Sequence, residues 1–353
     1  MKKILIIALS GLGDALMFTP ALKLLRKHLP DAQIDALVMF KGVKDIYERN
    51  SNINNIHYFN FIDEGILASL KYLLKLRKKY DYSINVYPSN RKEYNIFNFI
   101  VGADKKAGVK YLRKDLQNLG FLNNVRVTEN DSLHNVEENI KLIEELLQTK
   151  FDENPELEFP LNENDFSFAK DYLQKINVKE NELVIGFHPG SAVFKNHIKR
   201  RWEPEKFSAL GKKIIEELNG KVLIFGGPEE NELKNSIKKE INSDKTFSIE
   251  TGNLAETAAI MKRCNVFVSN DSSLMHVASA LQLNVVAILG PTNPNYIHPW
   301  ETKHNIVRLN LDCSPCFVYS PRPLICFRDD VKFKCIKELT VEMVFASVQK
   351  FIL

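Results

Sequence analysis

Short β-branched runs alternate with amphipathic stretches from one end of the chain to the other, the pattern of parallel sheets covered by helices on both faces. In the first half this predicts strands at Lys3 to Ala8, Ile34 to Met39, Ile56 to Tyr58 and Tyr82 to Val86. Between the last two, Ile66, Leu67, Leu70, Leu73 and Leu74 recur at helical spacing. The polar stretch Phe159-Pro160-Leu161-Asn162 reads as a linker, after which a fresh series begins. Strands are predicted there at Leu183 to Phe187, Val222 to Phe225, Val266 to Ser269 and Val285 to Leu289, with helices around Phe207 to Leu218, Ala255 to Arg263 and Ser273 to Leu281. The expectation is an α/β protein of two Rossmann-like domains, residues 1–160 and 161–353, with a cleft between them toward which both sets of strand C-termini point. Ligands bind outside the carboxyl ends of such strands, so function is expected in the βα turns.

Composition narrows the field without naming a function. The 353 residues suffice for two sizeable cores, and 44% hydrophobic against 26% charged residues, with no low-complexity tract, is an ordinary globular balance. Lys and Arg total 48 against 44 Asp and Glu, a net +4 that suits anionic small ligands or surfaces better than nucleic acid. The apolar run Ile4 to Leu9 leads into Gly-Leu-Gly-Asp rather than a cleavage site and reads as a strand. No run approaches the ~18 apolar residues of a membrane span, so a cytoplasmic protein is expected, touching a membrane at most from that side. Five cysteines, an odd number, fit a reducing compartment.

Four turns carry candidate chemistry. The first, Ser10-Gly11-Leu12-Gly13-Asp14-Ala15-Leu16, precedes an apolar helix with Met17, Phe18, Leu22 and Leu25. It half-matches a dinucleotide fingerprint, but Leu16 holds the third glycine position and Lys41 follows the second strand where a ribose-binding acid belongs, which disfavours a dehydrogenase. Asp14 is either a plain charge at a helix N-terminus or a general base. The second turn, Gly186-Phe187-His188-Pro189-Gly190-Ser191, leads to Lys195, His197, Lys199, Arg200, Arg201 and Trp202, a diphosphate cradle or a solvated loop. In Phe225-Gly226-Gly227-Pro228-Glu229-Glu230 a carboxylate could receive ribose hydrogen bonds, or the acids merely decorate a tight turn. In Ser269-Asn270-Asp271-Ser272-Ser273, polar residues stand ahead of a helix whose first amides could meet an anion, with His276 either facing the ligand or buried.

Taken together and in order, these turns resemble glycosyltransferase family 9, the ADP-heptose:lipopolysaccharide heptosyltransferases. The resemblance rests on Gly11-Leu-Gly-Asp14 with Pro20-Ala21-Leu22, His188-Pro-Gly-Ser191 leading to Arg201-Trp202, Gly226-Gly-Pro-Glu-Glu230, Asn270-Asp-Ser-Ser273 with His276, and Gly290-Pro-Thr292. It implies a GT-B fold, an N-terminal domain that receives the acceptor and a C-terminal domain that binds the nucleotide-sugar. It implies Asp14 as catalytic base, and Gly13, Ser191, Lys199, Arg200, Glu230, Asp271, Ser272, Ser273 and His276 around the donor. Family members commonly carry a phosphate-binding lysine two residues before the tryptophan, where this chain has Arg200 beside Lys199; an arginine fork keeps the charge. The implied reaction is inverting transfer of heptose from ADP-heptose to a Kdo or heptose acceptor of the lipopolysaccharide core, without a cofactor. The alternatives are a relative using another nucleotide-sugar or a protein acceptor, and a nucleotide-binding module in which Asp14 is dispensable.

Two features lie outside these turns. The first domain is rich in Arg77-Lys78-Lys79, Arg91-Lys92, Lys105-Lys106, Lys110 and Arg113-Lys114, a solvated face or one suited to an anionic, membrane-borne acceptor. The helix Gly65 to Lys79 is read as packing in the core rather than lying on a membrane. Cys313-Ser-Pro-Cys316 with Cys326 and Cys335 has the thiol count of a structural zinc or iron site, and the wider family includes members that appear to hold iron with four cysteines; packing thiols are the alternative. Cys264 is expected in the core.

Overall fold

The computed structural model describes residues 1–192, 194–317 and 324–352. The chain divides into two compact units, Met1–Pro160 and Leu161–Leu353. The first holds β1 (Lys3–Ala8), β2 (Gln33–Val38), β3 (Asn55–Tyr58), β4 (Tyr82–Asn85), β5 (Lys105–Lys110) and β6 (Val125–Thr128). All pair in parallel in the order β3-β2-β1-β4-β5-β6. The second holds β7 (Val184–His188), β8 (Lys221–Ile224), β9 (Thr246–Ser248), β10 (Val266–Asn270), β11 (Asn284–Ile288) and β12 (His304–Val307). Its order, β12-β11-β10-β7-β8-β9, repeats the same doubly wound topology and is again wholly parallel.

Central strands form because they are apolar on both faces. β7 and β10 are buried at every position, and β1 at every position after Lys3. The second core gathers Ile185, Phe187, Trp202 and Phe207 with the helix Val341–Gln349, while Leu5, Ile7, Leu37 and Leu73 anchor the first. The outer strands are weaker signals. β5 starts with two lysines, β6 alternates Val with Arg and Thr, and β9 has three residues, so these and β12 escape a search for apolar runs.

Two local departures from the periodicity have physical causes. The first helix stops at Met17 and a second runs from Thr19 to His28, with Pro20 in its first turn, because a proline inside one continuous helix would cost an amide donor. The helix Gly65–Leu76 buries only Ser69, Leu73 and Leu76, leaving Ile66, Leu67, Leu70 and Leu74 exposed, which corrects the core reading of that face. Among the described residues no helix is long and apolar enough to cross a membrane.

Strand β7 is packed too tightly for any side chain at Gly186, where an added Cβ would fall 2.5 Å from the Phe267 ring and 2.9 Å from Cys264 Sγ. Gly186→Ala should destabilise the second unit by ~1–3 kcal/mol. A urea melt followed by tryptophan fluorescence, which reports buried Trp202, reads this directly; an unchanged midpoint would contradict the packing.

Candidate functional site

In both units the candidate residues sit where the strand order reverses, at the carboxyl ends of β1 and of β7 and β10. Asp14 lies in the first helix after β1, and its Oδ2 accepts the Gly11 N–H at 3.2 Å, so it does cap the turn as a helix-terminal acid should. It is half-buried, like Gly13 beside it. Its charge reaches three buried phenols: Tyr47, Tyr94 and Tyr111 are raised first by burial, and Asp14 adds to each shift. Behind this edge the Tyr111 hydroxyl meets Ser89, and Glu129 accepts from the Tyr87 hydroxyl at 2.8 Å and the Leu112 amide at 2.9 Å. Neither tyrosine nor glutamate stands in a motif, and the pairing of β5 with β4 on one side and β6 on the other brings them together.

The second unit assembles its turns around adjacent arginines. Arg200 Nη1 donates to Asp271 Oδ2 at 2.6 Å, with side chains only 12% and 8% exposed, and the Thr292 hydroxyl donates to the same oxygen at 2.6 Å. Arg201 turns to the other side, donating to Glu230 Oε1 at 3.2 Å and to the hydroxyl and carbonyl of Ser191. His188 links the halves, with Nε2 3.1 Å from Glu230 Oε2 and Nδ1 2.7 Å from the Ser272 hydroxyl. A carboxylate can only accept, so Nε2 carries a proton, while Nδ1 accepts from Ser272 in a neutral ring and donates to it in a charged one. Burial alone would push the Glu230 carboxyl up, but the hydrogen bond and charge of His188, the charge of Arg201 and the Gly227 amide outweigh it and leave the group below its usual range.

This arrangement depends on close backbone approach. A Cβ on Gly190 would meet Glu230 Oε1 at 1.8 Å, and one on Gly226 would meet Oε2 at 2.7 Å. Asn270 ties the β10 turn to its neighbours, accepting from the Trp202 amide at 2.9 Å and donating to the Pro189 carbonyl at 2.7 Å. Ser272 caps the helix Ser273–Ala280 without a side-chain bond to it, because its hydroxyl is engaged with His188 and Ser269. The Met275 amide donates to the Ser272 carbonyl at 3.2 Å, which leaves the Ser273 and Leu274 amides at the helix start to meet a ligand. Ser273, half-buried, opens the helix.

Of the sequence candidates, Ser191, Arg200, Glu230, Asp271, Ser272, Ser273 and His276 share this edge, whereas Lys199 is exposed. The side chain of Lys195 lies outside the described residues. Two polar atoms here are buried without a hydrogen-bond partner among the described residues, Arg200 Nε and His276 Nδ1. Sequence reasoning missed Lys234, a buried cation whose Nζ donates to the Ile249 carbonyl at 2.6 Å beneath the Gly226-Gly227 turn. Burial lowers its ammonium, with Glu250, Glu230 and Glu229 opposing the shift. Its position four residues past Glu230, on the inner face of a helix, was the available signal.

The cysteines gather near the end of the unit. Cys313 and Cys316 are exposed, Cys326 is half-buried and Cys335 buried. The Cys335 thiol is pushed up to about 11 by burial and by Cys316, Cys326 and Cys313. Cys326 Sγ accepts the Phe333 amide at 3.2 Å and Cys313 Sγ accepts from Arg328 at 3.4 Å. Among the described residues no three His, Cys, Asp or Glu side chains are disposed to hold a metal ion. Cys264 is buried.

A family model for glycosyltransferase family 9 (heptosyltransferase) matches residues 70–323. Lipopolysaccharide heptosyltransferase 2 of Escherichia coli (strain K12) is 27% identical over 322 residues, covering 87% of this chain and 88% of that protein. The solved structure of E. coli ADP-heptose lps heptosyltransferase II superposes with a TM-score of 0.76 at 22% identity, covering 99% of this chain and 98% of the other. E. coli heptosyltransferase WaaC with ADP superposes with a TM-score of 0.70 at 17% identity, covering 99% of each chain. The two six-stranded parallel sheets are thus those of a GT-B protein.

Burial pushes His276 down to about 4, with Asp271 opposing and His298 and Arg200 reinforcing. An unfolded histidine titrates near 6.5, so between about pH 6.5 and 4 the unfolded chain binds the extra proton and stability falls with pH, by roughly 3 kcal/mol for this group. Chemical denaturation of wild type and His276→Gln at the two ends of that window should show the variant losing less on acidification. Equal losses would contradict a buried neutral ring.

Proposed function

The chain belongs to glycosyltransferase family 9, and on that footing we propose that it is an inverting heptosyltransferase. In this reading the donor is ADP-heptose, and the acceptor is a Kdo or heptose hydroxyl of the lipopolysaccharide inner core at the cytoplasmic face of the inner membrane. The observation that carries it is the largely buried arginine pair. Arg200 and Arg201 are held in ion pairs with Asp271 and Glu230 beside uncapped helix amides, where a nucleotide diphosphate would find donors already positioned.

In the proposed reaction the acceptor hydroxyl gives its proton to Asp14 as its oxygen attacks the anomeric carbon from the face opposite the nucleotide. The bond from that carbon to the diphosphate oxygen breaks through an oxocarbenium-like state, and configuration inverts. The negative charge that develops on the departing ADP is met by Arg200 and the first amides of the helix Ser273–Ala280. Glu230, held by His188 and Arg201, is placed to accept from ribose hydroxyls.

Asp14→Asn preserves the shape of the capping acid but cannot take the proton, so turnover of ADP-heptose should fall about 10²- to 10⁴-fold with ADP affinity unchanged. Calorimetry with ADP, UDP, GDP and NAD on the wild type should select ADP; preference for UDP or GDP would move the donor, and full activity in the variant would reduce Asp14 to a cap. Arg200→Ala should weaken ADP binding by tenfold or more, because it also strands Asp271, while exposed Lys199→Gln should change it by less than about twofold. The reverse ranking would assign the diphosphate to Lys199.

A further inference from the structure

We propose that the exposed face of the helix Gly65–Leu76 docks the protein on an anionic lipid surface. This deepens the reading above and rests on it for the purpose of docking, which is to reach a membrane-borne acceptor. Ile66 and Leu67 are 86% and 84% exposed, Leu70 and Leu74 41% and 47%, and Ile62, one turn before the helix, 66%. At about 100° per residue, Ile66, Leu70, Leu74 and Leu67 fall within one arc of about 100°. A folded chain rarely leaves such a contiguous apolar strip in water without an occupant.

Charge selects the occupant. Lys71 and Lys75, both exposed, fall beside the apolar arc on the solvent side, and Arg77, Lys78 and Lys79 follow at the helix C-terminal end, all exposed. The two acids, Asp63 and Glu64, stand at the N-terminal end between Ile62 and Ile66, outnumbered by the five cations. Apolar side chains flanked by basic ones are what an interfacial helix presents, the first entering the acyl boundary and the second meeting anionic headgroups. The strip has a firm base, because Phe59 stacks on Tyr72 at 4.4 Å and Phe61 packs on Phe97 at 4.6 Å between ring centroids. Its position also fits the use. The helix starts just past the carboxyl end of β3, the sheet edge that carries the Asp14 turn, so a bilayer covering Ile62, Ile66 and Leu67 delivers its headgroups on the Asp14 side.

The full chain should float with vesicles of phosphatidylcholine mixed with phosphatidylglycerol, far less with phosphatidylcholine alone, and be released by salt. Ile66→Glu with Leu67→Glu should weaken flotation on the order of a hundredfold. Lys71→Gln and Lys75→Gln should each weaken it about fivefold. Substitutions at exposed positions spare the core, so all three variants should keep the wild-type melting temperature and wild-type turnover on a delipidated, soluble acceptor. Absence of wild-type flotation, or undiminished flotation of the double glutamate variant, would overturn the proposal. So would a vesicle-free dimer, seen by sedimentation velocity, that the same variant dissolves, since the strip would then be a self-association surface. Flotation without ADP-heptose turnover would uphold docking and defeat the donor assignment instead.

Discussion

Two adjacent arginines must stay charged while largely withdrawn from water, and the functional edge of the second unit is organised around that requirement. A buried cation costs several kcal/mol unless a carboxylate and further hydrogen bonds meet it. Arg200 and Arg201 leave the chain in succession but find separate partners, Asp271 from the turn after β10 and Glu230 from the turn after β8. Three turns far apart in sequence are thereby fixed to one another by charge, with His188 closing the circuit through Ser272. The pairs are mutually neutral, so in the proposed reading a diphosphate is met by positioned donors rather than by net charge, the Ser273 and Leu274 amides at the start of the helix Ser273–Ala280 among them.

The same requirement explains the glycines. Glu230 can reach both Arg201 and His188 only by lying against the backbone of Gly190, where no side chain fits. The core beneath supplies the rigidity. Trp202, fully buried, donates from its indole to the Leu339 carbonyl at 3.0 Å, so the residue that follows the arginine pair is pinned to the end of the chain. Lys234 does the equivalent under the neighbouring turn, a positive charge hidden beneath two exposed-looking glycines.

How far the sequence reveals this depends on what each residue answers to. Strands buried on both faces, such as β1, β7 and β10, declare themselves as apolar runs, and the turns that follow them carry recognisable glycines and acids. Edge strands β6, β9 and β12 are specified by their neighbours rather than by their own composition, and so leave no local signal. The polar turns that share this edge are legible as a set, but not which partner each of their side chains takes. Lys199 and Arg200 are equivalent cations in sequence, and only the partner 71 residues away, Asp271, draws Arg200 inward. Likewise the leucines of the helix Gly65–Leu76 carry a period that fits a core or a membrane equally, and what packs against the other face decides between them.

A crystal structure of the chain with ADP-heptose tests the central claim most directly. The account predicts the diphosphate within hydrogen-bond reach of Arg200 and the first amides of the helix Ser273–Ala280, with a ribose hydroxyl on Glu230 and the Arg200–Asp271 pair retained or shared. A diphosphate bound instead at Lys199, or at the Gly11–Gly13 turn of the first unit, would contradict it.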